Sequence, residues 1–237
     1  MHDLVVSAGV DPERIFRIPI GIDVENFPLV TAALRDSARA ALRLPPDAFV
    51  SGSFQKDGVG WGEGLEPKLV KGPDVLVAAL EQIRGAVPEL FVLLTGPARG
   101  YVRGELERLG IPYRHLRAHS RSELARAYYA LDVCVVASRQ EGGPKAALES
   151  LAAGIPLVTT RVGQAQDVVE DGVNGRLVDI EDVDAIAYAL MLIHDDEALR
   201  DPLVEAGRAT AERYAHELLD ADWKLLLAGF VGSRHPD

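Results

Sequence analysis

From residue 48 to residue 214 the chain alternates between short unbroken apolar runs and stretches whose apolar residues recur every three or four positions. The runs are Ala48–Phe54, Glu89–Gly96, Val133–Ala137 and Ile155–Thr159, with shorter ones at Tyr113–Arg117 and Arg176–Val178. Continuous apolar runs of this length predict strands buried on both faces. Between them, Leu34, Ala38, Ala41 and Leu42 mark a helix over residues 31–44 that Pro45-Pro46 end, and Val75, Leu76, Ala79, Leu80 and Ile83 mark one over Pro73–Ala86. Gly110 stops a helix over Gly100–Leu109, and the capping box Ser120-Arg121-Ser122-Glu123 opens another carrying Leu124, Ala127, Tyr128 and Leu131. Helices are also expected over Asp182–His194, Asp196–Tyr214 and Glu217–Phe230. Ahead of all this the spacing predicts a short helix at Leu4–Val6, a strand over Ile15–Asp23 and a loop reaching Phe27. Strand and helix in alternation predict an α/β fold: a Rossmann-like, doubly wound, mostly parallel sheet.

One stretch concentrates the chemistry. Glu141-Gly142-Gly143-Pro144-Lys145-Ala146-Ala147-Leu148-Glu149 lies between two predicted strands. Pro144 suits the first helical position, where its missing N–H would be an orphan anyway, and Gly154 with Pro156 ends the helix. Two glycines before a helix leave amides open at its positive end, an anion site at the carboxyl edge of a parallel sheet. Glu141, in the loop, and Glu149, in the helix, are expected to face one crevice at different depths. That arrangement suits two parts of a polyhydroxylated ligand better than one shared proton.

A second loop, Gln55–Gly72, follows the first long strand and holds Lys56, Lys68 and Lys71 around a glycine tract. It has neither the Gly-Lys-Ser/Thr of a P-loop nor G-x-G-x-x-G spacing. His115 and His119 fall across a strand end and a loop, and neither HExxH nor paired CxxC occurs, so no metal is indicated.

Composition narrows the partners. With 36 acidic against 25 basic residues and a net charge of −11, a nucleic-acid backbone or an anionic membrane surface is disfavoured. No run of eighteen apolar residues and no signal-like N-terminus occur, which leaves the cytoplasm as the default expectation. The 237 residues make one large or two small domains. Cys134, in an apolar run, reads as a small buried hydrophobe.

The E-x7-E arrangement, its Gly-Gly-Pro insertion and the following Ala152-Ala153-Gly154-Ile155-Pro156 resemble the donor-binding domain of retaining GT-B glycosyltransferases, the large family 4 group. The resemblance extends over most of the chain. Ile15–Asp23 with Phe27 is similar to the family's linker, written P-N-G-I-D and then Phe, with Ile20 in place of Asn. Lys71-Gly72 matches a Lys-Gly that opens a helix, and Lys56 or Lys68 stands where the family has an Arg, on a much longer loop. Residues 161–175 follow the family's Gly-Gly and D-G-x-N-G pattern, with Gln164 and Asp167 departing from its commonest form.

This resemblance implies an interdomain linker at 1–30, a nucleotide-sugar-binding domain at 31–214, and a crossover helix and tail at 215–237. A complete GT-B enzyme has an N-terminal domain before that linker, in the same or a separate chain. It further implies that Glu149 accepts hydrogen bonds from the ribose hydroxyls of a UDP- or GDP-linked sugar, and that Glu141 holds a sugar hydroxyl. Lys56, Lys71 and the helix start at Gly142, Gly143, Pro144 and Lys145 would neutralise the leaving pyrophosphate. Leu116, Arg117 and Ala118 would hold the base through their backbone. No cofactor is implied, and the isolated chain is expected to bind a donor but to transfer its hexosyl group poorly. Two other readings stay open: a non-catalytic nucleotide-binding or protein-interaction module, and a GT-B relative that epimerises or phosphorolyses sugars.

Overall fold

The computed structural model describes residues 2–231, so the tail at 232–237 lies outside the described residues. Six parallel strands form a single sheet in the order β3-β2-β1-β4-β5-β6: β1 Phe49–Phe54, β2 Leu90–Thr95, β3 Tyr113–Leu116, β4 Val133–Val136, β5 Leu157–Thr160 and β6 Arg176–Val178. The order reverses direction between β1 and β4, which opens a crevice at their carboxyl ends. β1, β4 and β5 are buried along their whole length, as unbroken apolar runs require, whereas the edge strand β3 is half-buried throughout.

Helices cover both faces, and the pleat sorts side chains between two cores. Along β4, Cys134 and Val136 enter one core while Val133 and Val135 enter the other. After the short α1 His2–Ser7, the first core is closed by α2 Ala32–Ala41, α5 Arg121–Tyr129, α6 Lys145–Ala153, the short α7 Ala165–Val168 and α9 Glu197–Arg213; the second by α3 Pro73–Ile83, α4 Gly100–Leu109 and α8 Val183–Asp195. α3 buries Val75, Leu76, Ala79, Leu80 and Ile83, the four larger side chains contributing about 1.5–3 kcal/mol of transfer free energy each. Side-chain caps set several helix starts: Thr31, Asp182 and Asp196 accept from the amides three residues on. Ser120 Oγ likewise accepts from Glu123 N, but Glu123 Oε2 accepts from the amide of His119 rather than that of Ser120, so the capping box is shifted by one residue.

The strand expected over Ile15–Asp23 does not form. Pro19 has no amide to give a ladder, and Ile22 makes only an isolated bridge to Ala215. This extended segment is held by side chains instead: Ile20 donates its amide to Gln164 Oε1 at 2.7 Å and accepts from Gln164 Nε2 at 2.9 Å. α10, His216–Val231, follows that bridge and leaves Leu218, Trp223, Leu225 and Leu227 exposed. No helix among the described residues is long and apolar enough to cross a membrane.

Candidate functional site

The loops after β1 and β4 meet at the crevice and are latched together. Gly72 takes a left-handed conformation (φ 61°) to start α3, and a Cβ there would lie 1.8 Å from the carbonyl oxygen of Ala137, so only glycine lets the two loops touch. Arg139 forks onto Asp74 at 2.8 Å through both terminal nitrogens and donates to Leu69 O at 2.6 Å, while its amide donates to Val70 O. The Arg139 hydrogen bond holds the Asp74 carboxyl below the usual carboxylate range.

Within that latch Lys71 Nζ lies 2.6 Å from Glu141 Oε1, and Ser138 Oγ donates to the same oxygen at 2.9 Å. Both members of the ion pair are largely withdrawn from water, with side-chain exposures of 23% and 12%. Gln55 donates to Lys71 O, which ties the end of β1 to the same node. Beside it the amides of Gly142 and Gly143 donate to no protein group among the described residues. A Cβ on Gly143 would come within 2.6 Å of the Ile20 side chain, so a glycine there also lets the 15–23 segment approach. Pro144 sits one position earlier than expected: its ψ of 105° makes it the N-cap, and α6 begins at Lys145.

Two cavities flank Glu149 and share it with Leu124. The larger, of about 420 Å³, is lined by Phe54, Gln55, Lys56, Thr95, Gly96, Pro97, Arg117, Ala118 and His119. The smaller, of about 110 Å³, is bounded by Gly21, Ile22, Asp23, Phe27, Arg121, Lys145, Leu148 and His216. Burial pushes the Glu149 carboxyl above its ordinary pKa, and the Tyr128 hydroxyl, Lys145 and Arg121 pull it partly back.

The structure brings most of the sequence candidates to one edge but not into one wall. Glu149, Lys56, Arg117, Ala118 and Lys145 line the cavities, whereas Glu141 and Lys71 form the adjoining latch, so the two glutamates do not share a cavity wall. Lys68 is exposed and donates its amide to Asp57 O, away from both cavities, which leaves Lys56 as the one of the two lysines that lines the larger cavity, with Arg117. Lys56 Nζ lies 3.8 Å from the ring centroid of the exposed Trp61. The Leu116 side chain packs against the first core, while the role expected of Leu116 runs through its backbone.

Two features escaped the sequence. Asp57 and Arg99 are fully buried, with Nε 2.8 Å from Oδ1. Arg99 Nη1 lies 2.5–2.9 Å from the carbonyl oxygens of Ser53, Gln55 and Thr95, binding the ends of β1 and β2. Tyr128 had the signature of a core position only; its hydroxyl donates to Glu149 Oε2 at 2.8 Å. Among the described residues no group of three or more His, Cys, Asp or Glu side chains is placed to hold a metal ion.

The model of one family, described as glycosyl transferases group 1, matches residues 65–210, more than half of the chain. The chain belongs to that family. A D-inositol 3-phosphate glycosyltransferase of Xylanimonas cellulosilytica is 36% identical over 226 residues, covering 90% of this chain and 51% of its own length. A sucrose-phosphate synthase (tll1590) from Thermosynechococcus elongatus superposes with a TM-score of 0.74 at 28% identity, over 91% of this chain and 53% of its own. Anabaena Alr3699/HepE, crystallised with UDP and glucose, gives a TM-score of 0.78 at 20% identity, over 98% and 61%. This glycosyl transferase group 1 chain thus spans about half the length of such relatives and has the fold of a GT-B C-terminal domain.

Proposed function

We propose that this glycosyltransferase chain is the donor-binding half of a retaining, family 4 enzyme that moves a hexosyl group from a UDP- or GDP-linked sugar to an acceptor. The observation that carries the reading is the convergence, at one carboxyl edge, of a partly buried glutamate, an open cavity and a helix start with unpaired amides. The base occupies the 420 Å³ cavity against the Arg117–Ala118 backbone, and Glu149 accepts from the ribose hydroxyls. The pyrophosphate lies toward Gly142 and Gly143. There Lys56, Lys71 and the positive end of α6 stabilise the charge that develops as the glycosidic bond breaks. Glu141 has two uses: it aims the Lys71 ammonium in the free protein and accepts from a sugar hydroxyl in the complex. The acceptor is held mainly by the other half of the enzyme, so this chain alone binds donor and turns over little.

Calorimetric titration of the chain with UDP, GDP and ADP, with and without magnesium, tests the proposal. Micromolar binding of one nucleotide, independent of magnesium, is the expected outcome. A folded chain that binds none of the three would return the reading to a non-catalytic module.

A further inference from the structure

Glu149 is held from behind by a fully buried side chain. Tyr128 has no exposed surface, and its ring is packed edge-on between Phe27, at 5.7 Å, and Phe54, at 4.6 Å. Those two rings come from the segment before α2 and from the end of β1, so two parts of the chain outside α5 pack against the phenol. A buried hydroxyl needs an acceptor. The alternative, Ala146 O, is 3.5 Å away, at the limit of a hydrogen bond, whereas Glu149 Oε2 is at 2.8 Å. Oε2 thereby has one fixed donor, and Oε1 has no protein donor among the described residues.

We propose that Tyr128 is a positioning residue that makes the site selective for ribonucleotides: by binding Oε2 it locks the Glu149 carboxylate in the rotamer that turns Oε1 to the ribose hydroxyls. This rests on the donor-site reading above. A carboxylate free to rotate can also meet a ligand that offers a single hydroxyl. A fixed one rewards two adjacent hydroxyls, because the second hydrogen bond then needs no further ordering of the side chain. Tyr128 touches no ligand, and its effect passes entirely through Glu149.

The test is a thermodynamic cycle on the whole chain. Wild type and Tyr128→Phe are titrated with UDP and 2′-deoxy-UDP, and with GDP and 2′-deoxy-GDP. Wild type should prefer the ribo form. Tyr128→Phe, which removes one oxygen and keeps the ring, should lower that preference about tenfold, the worth of one hydrogen bond to a charged group. The loss should fall on the ribo form, with the affinity of the deoxy form nearly unchanged. Phe27→Leu loosens the same cluster while keeping the hydroxyl, and should change the ribo-to-deoxy ratio less than Tyr128→Phe does. Equal weakening of both forms by Tyr128→Phe, or an unchanged ratio, overturns the proposal while leaving the donor site standing. If wild type binds none of the four nucleotides, the donor-site reading fails and this proposal with it.

Discussion

Replacing Arg99 by methionine should lower the unfolding free energy by about 3–5 kcal/mol, because breaking a buried pair leaves the other charge uncompensated. Arg99 and Asp57 are both closed to water. Burial drives the Asp57 carboxyl above its ordinary pKa and the Arg99 guanidinium below its own, and each charge partly restores the other. Without Arg99, the carbonyls of Ser53, Gln55 and Thr95 also lose a donor at the ends of β1 and β2. Asp57→Asn should cost a similar amount, since it leaves the buried Arg99 guanidinium without its counter-charge and arginine does not shed its proton near neutral pH. The pH dependence has a definite sign. In the methionine variant the Asp57 carboxyl keeps its raised pKa, so the folded state holds a proton that the unfolded chain releases near pH 3.9. Stability of the variant therefore falls as pH rises above about 4, and urea melts at pH 4 and pH 7 should show the larger deficit at pH 7. A deficit below about 1 kcal/mol at pH 7, the scale of an exposed pair, would show that the buried pair is not what holds the loop.

The largest functional effects should come from Glu149→Ala and Lys71→Ala. In the proposed donor site Glu149 accepts from two ribose hydroxyls, each such charge-assisted bond being worth about 1.5–3 kcal/mol, so Glu149→Ala should lower nucleotide affinity by about a hundredfold or more. It also strands the Tyr128 hydroxyl, and a small loss of stability should accompany the loss of binding. Lys71→Ala should act on phosphate and not on base: binding of a nucleoside diphosphate weakens by ten- to a hundredfold, while binding of the matching nucleoside is unchanged. Part of that cost is the Glu141 carboxylate left beside the pyrophosphate without its cation, so the Glu141→Gln/Lys71→Ala double variant should recover some diphosphate affinity. Competition titrations with nucleoside, monophosphate and diphosphate separate these effects. Equal weakening of all three ligands by Lys71→Ala would refute the assigned role.

Much of the fold was legible because it depends on local periodicity. The runs that became β1, β2, β4 and β5, and the apolar stripe of α3, are burial patterns written directly in the chain. The Glu141–Glu149 stretch was legible for a similar reason: glycines, a proline and the end of a strand fix a helix start at the sheet edge. Features that depend on distance were not. Ile15–Asp23 has strand-like residues, but its neighbours in space are the Gln164 side chain and the start of α10, which the local pattern does not reveal. Asp57 and Arg99 are charged residues 42 positions apart that look solvated until β1 and β2 lie side by side. Glu141, in the loop, and Glu149, in the helix, were expected to face one crevice at different depths, but local spacing does not reveal their partners. Lys71 draws one aside, and Tyr128 fixes the other.

The central claim, that the carboxyl edge between β1 and β4 binds the nucleotide, is tested most directly by following backbone amide shifts of the isotopically labelled chain during titration with UDP and GDP. The sheet has a second cavity of similar size, about 460 Å³, at its opposite edge, lined by Arg84, Gly85, Leu109, Gly110 and Pro112 among others. Saturable shifts at Gly96, Ala118, Gly142, Gly143 and Lys145, with Gly85 and Gly110 silent, are the predicted result. Shifts confined to Gly85, Gly110 and their neighbours, with the Gly142-Gly143 amides unmoved, would contradict the account.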